Sequence, residues 1–140
     1  MDFCRLDLQP TRMKPCILVV DDNDDNLLLV TQILTRSDRT LLTAQSGKTA
    51  LALAQASPPD LILLDILLPD LSGFDVLHSL RHHAATAHIP VIAVTALARV
   101  DDCQKLLQAG CNDCSSKPYL LEDLELAVER CLQRATLACA

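Results

Sequence analysis

Residues 17–26 read ILVVDDNDDN: four apolar residues run into six positions that hold four carboxylic acids and two asparagines. The apolar part, taken as Cys16–Val20 (CILVV), has the near-continuous hydrophobicity of a strand covered on both faces, the mark of a parallel sheet between helical layers. Two similar runs follow, LILL over Leu61–Leu64 and VIAVT over Val91–Thr95. The less apolar stretches Thr40–Ala44 and Asn112–Ser116 complete five expected strands.

Amphipathic stretches alternate with these runs: Asp25–Arg36, Lys48–Ser57, Gly73–His83, Val100–Ala109 and Leu121–Arg134. In the last, Leu120, Leu124, Ala127, Val128, Cys131 and Leu132 share one stripe at the helical period. Ser46 is placed to cap the second helix, and Gly110 stands where a left-handed C-cap is wanted after the fourth. Pro58-Pro59-Asp60 separates the second helix from the third strand, and Pro90 can start the fourth strand without removing a bond from its middle. Five βα units joined by short right-handed crossovers give an α/β fold, a doubly wound five-stranded parallel sheet with helices on both faces. Ligands in such sheets sit outside the carboxyl ends of the strands.

The chain has 140 residues, the length of one domain. The expected organisation is an N-terminal extension over 1–15, a single domain over 16–134 and a tail over 135–140, the two ends lacking periodicity. The start methionine and irregular tail suggest a free-standing protein. Half of the residues are hydrophobic, yet Phe3, Phe74 and Tyr119 are the only aromatics, so aliphatic side chains must build the core. Stacking platforms for single-stranded nucleic acid are missing. A formal charge of −6 without a dense basic run argues against nucleic-acid and anionic-membrane partners. No apolar run reaches a membrane span and residues 1–16 do not read as an export signal, so the expected location is cytoplasmic. The seven cysteines then read as free thiols packed as small hydrophobes. Cys111 and Cys114 match a C-x-x-C spacing, but in a strand residues three apart point to opposite faces.

The strand ends carry the chemistry. Asp21 and Asp22 follow the first strand, Asp65 the third, Thr95 ends the fourth, and Lys117 follows the fifth. Three converging carboxylates repel one another unless a cation sits among them, and oxygen-only ligands in an open site suit Mg²⁺. Asp65 can then act as a carboxylate nucleophile toward a phosphoryl group, with Lys117 supplying positive charge and Thr95 a hydroxyl donor. Asp24 and Asp25 do not belong to that set. One of Asn23, Asp24 or Asp25 is the expected N-cap of the first helix, with the nearby acids favourable to its dipole. An EF-hand reading of the run fails, because position six lacks Gly and position twelve is Gln32.

VVDDN (19–23), LLDILLPDLSG (63–73), VTA (94–96) and SKP (116–118), in this order and each at a strand end, make the chain resemble the receiver domains of two-component response regulators, single-domain and CheY-like. The resemblance covers about residues 15–133. It implies a flavodoxin-like sheet of order 2-1-3-4-5 and a phosphoacceptor at Asp65. It also implies a Mg²⁺ site made of Asp22 directly, Asp21 mainly through water, Asp65 and the main-chain carbonyl of Leu67. Lys117 would hold the acceptor and phosphoryl oxygens, Thr95 would be the switch hydroxyl, and Pro118 would follow a cis bond. The implied donor is a phosphohistidine on a sensor histidine kinase or histidine phosphotransfer protein, and the output is contact with a downstream protein target. Two departures stand out. Cys114 replaces the aromatic usual three positions before the lysine, which leaves the switch without a moving ring. Leu67 and Leu97, each two residues past a site residue, suggest a phosphoryl group shielded from water.

The expected function is therefore a signalling phosphoacceptor rather than an enzyme. Two alternatives stay open: a phosphorylation-independent receiver-like scaffold, and an aspartyl-phosphate phosphatase, although Leu67 stands where such enzymes carry a second Asp. His78, Arg81, His82, His83 and His88 read as a solvated surface, with no acid or Cys beside them to finish a metal site. Asp70, Asp75, Asp101, Asp102 and Asp113 read as surface or capping acids. Kinase, target, pathway and oligomeric state are not legible.

Overall fold

The computed structural model of the chain describes residues 15–35, 39–66, 68–95, 100–116 and 124–132. Nine labelled elements run β1 (Cys16–Val20), α1 (Asp24–Leu34), β2 (Thr40–Ala44), α2 (Gly47–Ala56), β3 (Leu61–Asp65), α3 (Gly73–Arg81), β4 (Val91–Thr95), α4 (Val100–Gln108) and β5 (Asp113–Ser116). A last helix, α5, spans residues 124–132. All strand pairs are parallel, and the order is β2-β1-β3-β4-β5. The expected doubly wound sheet and its strand order are both present.

Alternation along the central strands divides the core in two. Ile17 and Val19 of β1, Leu61 and Leu63 of β3 and Ile92 of β4 pack with Leu27, Val30 and Leu34 of α1 and with Leu124, Ala127, Val128 and Cys131 of α5. The residues between them, Leu18, Val20, Ile62, Leu64, Val91 and Ala93, face α2, α3 and α4 through Ala50, Ala54, Val76, Leu77, Leu80 and Leu106. Strands buried on both faces cannot alternate with polar residues, which is why their runs read as continuously apolar. Each fully buried Leu or Ile contributes roughly 1.5–3 kcal/mol of transfer free energy. Among the described residues, no helix is long and apolar enough to cross a membrane.

Local chemistry sets the helix ends. Asn23 caps α1 by accepting from the Asn26 amide, Ser46 caps α2 through the Thr49 amide, and Ser72 caps α3 through the Asp75 amide. After α4, the Gly110 amide donates to the Leu107 carbonyl and the Cys111 amide to the Leu106 carbonyl, with Gly110 at φ +119°. That pair of bonds is the Schellman closure, which needs the left-handed conformation glycine tolerates.

Two sequence expectations require correction. Cys103 and Cys114 are joined by a disulfide and are not free thiols. Cys16, Cys111 and Cys131 are not in a disulfide, and Cys4 and Cys139 lie outside the described residues. Arg81 is not a solvated surface residue. Its half-buried guanidinium donates to the carbonyls of Gly110, Ala87 and Ile89 and to Asn112 Oδ1, tying the end of α3 to the turn before β5.

Candidate functional site

Sheet register builds the site. Val20 of β1 pairs with Leu64 of β3, so the next residues, Asp21 and Asp65, leave the paired segment side by side. The Asp21 amide still donates to the Ala44 carbonyl at 3.0 Å, and the Ile66 amide to the Val94 carbonyl at 3.1 Å, so both acids stand on backbone held by a neighbouring strand. Asp21 is fully buried and Asp65 is 4% exposed, whereas Asp22 is exposed. The Asn23 amide donates to Asp21 Oδ1 at 3.0 Å and turns that carboxylate along the start of α1.

One ligand oxygen from each of Asp21, Asp22 and Asp65 lies within 4.8 Å of the others, and among the described residues this is the one group of three or more possible metal ligands. The donor set is all oxygen and all anionic, half-open to solvent through Asp22. That composition fits a hard divalent cation such as Mg²⁺, which keeps some of its waters and accepts one or two carboxylates. The structure thus brings together three of the residues singled out in the sequence. Leu67, Lys117 and the Thr95 hydroxyl lie outside what is described, as do Leu97 and Pro118. The backbone of Thr95 pairs with Ser116, which brings the carboxyl ends of β4 and β5 level.

The segment after Asp65 is anchored by groups whose roles the sequence leaves open. The amides of Gly47 and Lys48, at the start of α2, donate to the Asp70 carboxylate at 2.8 and 3.0 Å. These bonds hold the Asp70 carboxyl below the usual carboxylate range. The Gly73 amide donates to the Ile66 carbonyl at 2.8 Å, closing the turn beside the site. A Cβ on Gly73 would stand 2.6 Å from Ile66 Cα, so the close approach requires glycine there. Both His78 and His82 are exposed, their ring centroids 4.0 Å apart, and no third ligand completes a metal site with them among the described residues.

A doubly wound α/β sheet with an acidic pocket at the carboxyl ends of β1 and β3 defines a class of protein that binds its ligand at the strand-order switch point. Within that class the chain belongs to the response regulator receiver domain family, which it matches over residues 17–129. It is similar to the polar-differentiation response regulator DivK of Brucella ovis, 41% identical over 106 residues, covering 76% of this chain and 86% of that protein. A Vibrio cholerae protein named "Probable cyclic di-GMP phosphodiesterase" is 38% identical over 117 residues, 84% of this chain. The chain spans only 26% of that relative's length. Among solved structures, the chemotaxis response regulator CheY4 of Vibrio cholerae superposes with a TM-score of 0.80 at 26% identity, over 85% of this chain and 99% of that one.

Proposed function

We propose that the chain is a phosphoacceptor of a two-component system and that Asp65 takes the phosphoryl group. The observation that carries this reading is the cluster of Asp21, Asp22 and Asp65 oxygens within 4.8 Å at the carboxyl edge of the sheet. A carboxylate in that position can attack the phosphorus of a phosphohistidine. The P–N bond breaks, an acyl phosphate forms on Asp65, and the electron pair returns to the imidazole of the donor. Asp21, Asp22, Asp65 and the main-chain carbonyl of Leu67 are the proposed ligands of Mg²⁺, which when bound supplies the charge neutralisation that three acids and a phosphoryl group need. Lys117 is assigned to the acceptor and phosphoryl oxygens, and Thr95 to a hydrogen bond with the phosphoryl group. The donor is a histidine kinase or histidine phosphotransfer protein and the output a protein contact, in keeping with a receiver domain acting in the cytoplasm.

Labelling tests the assignment. The wild-type chain incubated with a small-molecule or phosphohistidine donor and Mg²⁺ should gain one acid-stable, base-labile phosphoryl group by intact mass, and Asp65→Asn should gain none. Labelling of Asp65→Asn at the wild-type rate overturns the assignment of Asp65. A phosphorylation-independent scaffold would instead bind its partner equally well with and without phosphodonor.

A further inference from the structure

Cys103 and Cys114 are eleven residues apart, yet the disulfide between them joins α4 to β5 with a Cα–Cα distance of 5.7 Å. That separation is ordinary for a disulfide, so the bond can open and close without backbone movement. Both residues are half-buried. Two of the other described thiols are less available: Cys131 is buried, and burial pushes the buried Cys111 thiol up to about 11. Cys16 is half-buried and begins β1, whereas Cys114 lies in β5 opposite Ala93 of β4.

The position gives the bond leverage. Cys114 pairs with Ala93 and Ser116 in the same strand pairs with Thr95, so the bridge meets β5 two residues before the position that faces Thr95. Its other end is in the first half of α4, the helix that follows Thr95. Among the described side chains of α4, Leu106 alone is buried, and Leu107 is 46% exposed, whereas α3 buries Val76, Leu77 and Leu80. Over its described residues, 103–108, α4 therefore has the Cys103 bridge and Leu106 as its inward contacts.

We propose that Cys103 and Cys114 form a redox-reversible site that exchanges with low-molecular-weight disulfides such as oxidised glutathione, and that its oxidised form clamps α4 onto β5. One cysteine thiolate attacks the glutathione disulfide, forming a mixed disulfide and releasing one glutathione thiolate. The second cysteine thiolate attacks the mixed disulfide at the protein sulfur, forming the Cys103–Cys114 bond and releasing the second glutathione. The protein loses two electrons to the glutathione disulfide, and the two thiol protons pass to the two glutathione thiolates. If the chain is the phosphoacceptor proposed above, the clamp also limits what Thr95 can relay to α4, a consequence that rests on that reading.

The test uses the full chain in glutathione buffers of graded ratio, acid-quenched, alkylated and read by peptide mass spectrometry. Cys103 and Cys114 should lose alkylation together as the buffer is oxidised and regain it together on reduction. Amide hydrogen exchange in α4 should run roughly tenfold or more faster in the reduced form, with α3 unchanged, because local opening is set by the few contacts that hold a segment. The Cys103→Ser, Cys114→Ser double variant should exchange like the reduced form in both buffers. Separate titration of the two cysteines, pairing of either with another cysteine, or equal α4 exchange in both wild-type states overturns the proposal, and these wild-type readouts suffice should the variant not fold. None of them involves phosphate, so failure of phosphodonor labelling in both redox states would remove the proposed function and leave this result standing.

Discussion

Replacing Asp65 by Asn removes one buried negative charge while keeping the shape of the side chain, and it should stabilise the metal-free protein while weakening its response to cations. Asp21 and Asp65 are both buried, with ligand oxygens no more than 4.8 Å apart. Two unit charges about 5 Å apart repel by roughly 3 kcal/mol at an effective dielectric constant of about 20. The exposed Asp22 adds little, because solvent screens it. Asn keeps only part of the hydrogen bonding of a carboxylate and gives up the attraction of the Lys117 assigned to it, so the expected gain is at most about 1–2 kcal/mol. With Mg²⁺ the order should narrow or reverse, since the wild-type chain gains about 2.7 kcal/mol at a hundredfold excess over its dissociation constant and the variant gains much less. Urea denaturation of both chains, in EDTA and in saturating Mg²⁺, reads all four stabilities. An Asp65→Asn chain no more stable than wild type in EDTA would show that mutual repulsion does not govern this pocket.

Asp22→Ala should weaken Mg²⁺ binding by roughly ten- to a hundredfold, at least the cost of disturbing a supporting residue around a metal; unchanged calorimetric titration would remove Asp22 from the ligand set. Gly73→Ala should cost about 1–3 kcal/mol, because the new methyl meets Ile66 Cα at 2.6 Å and Cδ1 at 2.5 Å and the turn must shift; a denaturation midpoint equal to wild type would show that the turn yields freely. Alkaline pH should destabilise the chain through Cys111, whose thiol burial pushes up to about 11. The unfolded thiol ionises near its ordinary value of about 8.5. The contribution of Cys111 is therefore full below that pH and is lost as pH rises toward about 11, by at most about 1.4 kcal/mol per pH unit. Cys111→Ala should flatten this decline, and an identical slope in the variant would refute the assignment.

The sequence by itself determined the strands and the acids at their ends. The runs CILVV, LILL and VIAVT are nearly continuously apolar because these strands are covered on both faces, and this constraint acts on successive residues of the run. Asp21, Asp22 and Asp65 were legible as one site because parallel strands all present their carboxyl ends to the same edge. Caps at Ser46 and Gly110 were legible because a helix end is completed within a few residues of chain. Tertiary structure decided the rest. Asn23, rather than Asp24 or Asp25, caps α1, since the backbone turn after β1 brings its oxygen to the Asn26 amide. Asp70 caps a helix that begins over twenty residues before it, and Arg81 grips carbonyls on the far side of β4, both because α2, α3 and the turn before β5 pack on one face of the sheet. The sequence showed a C-x-x-C spacing at Cys111 and Cys114 and all cysteines read as free thiols, but packing buries Cys111 and carries Cys103 across to Cys114. Local spacing reports contacts that local geometry makes; where α4 lies on β5 is settled by the packing of the whole sheet against its helices.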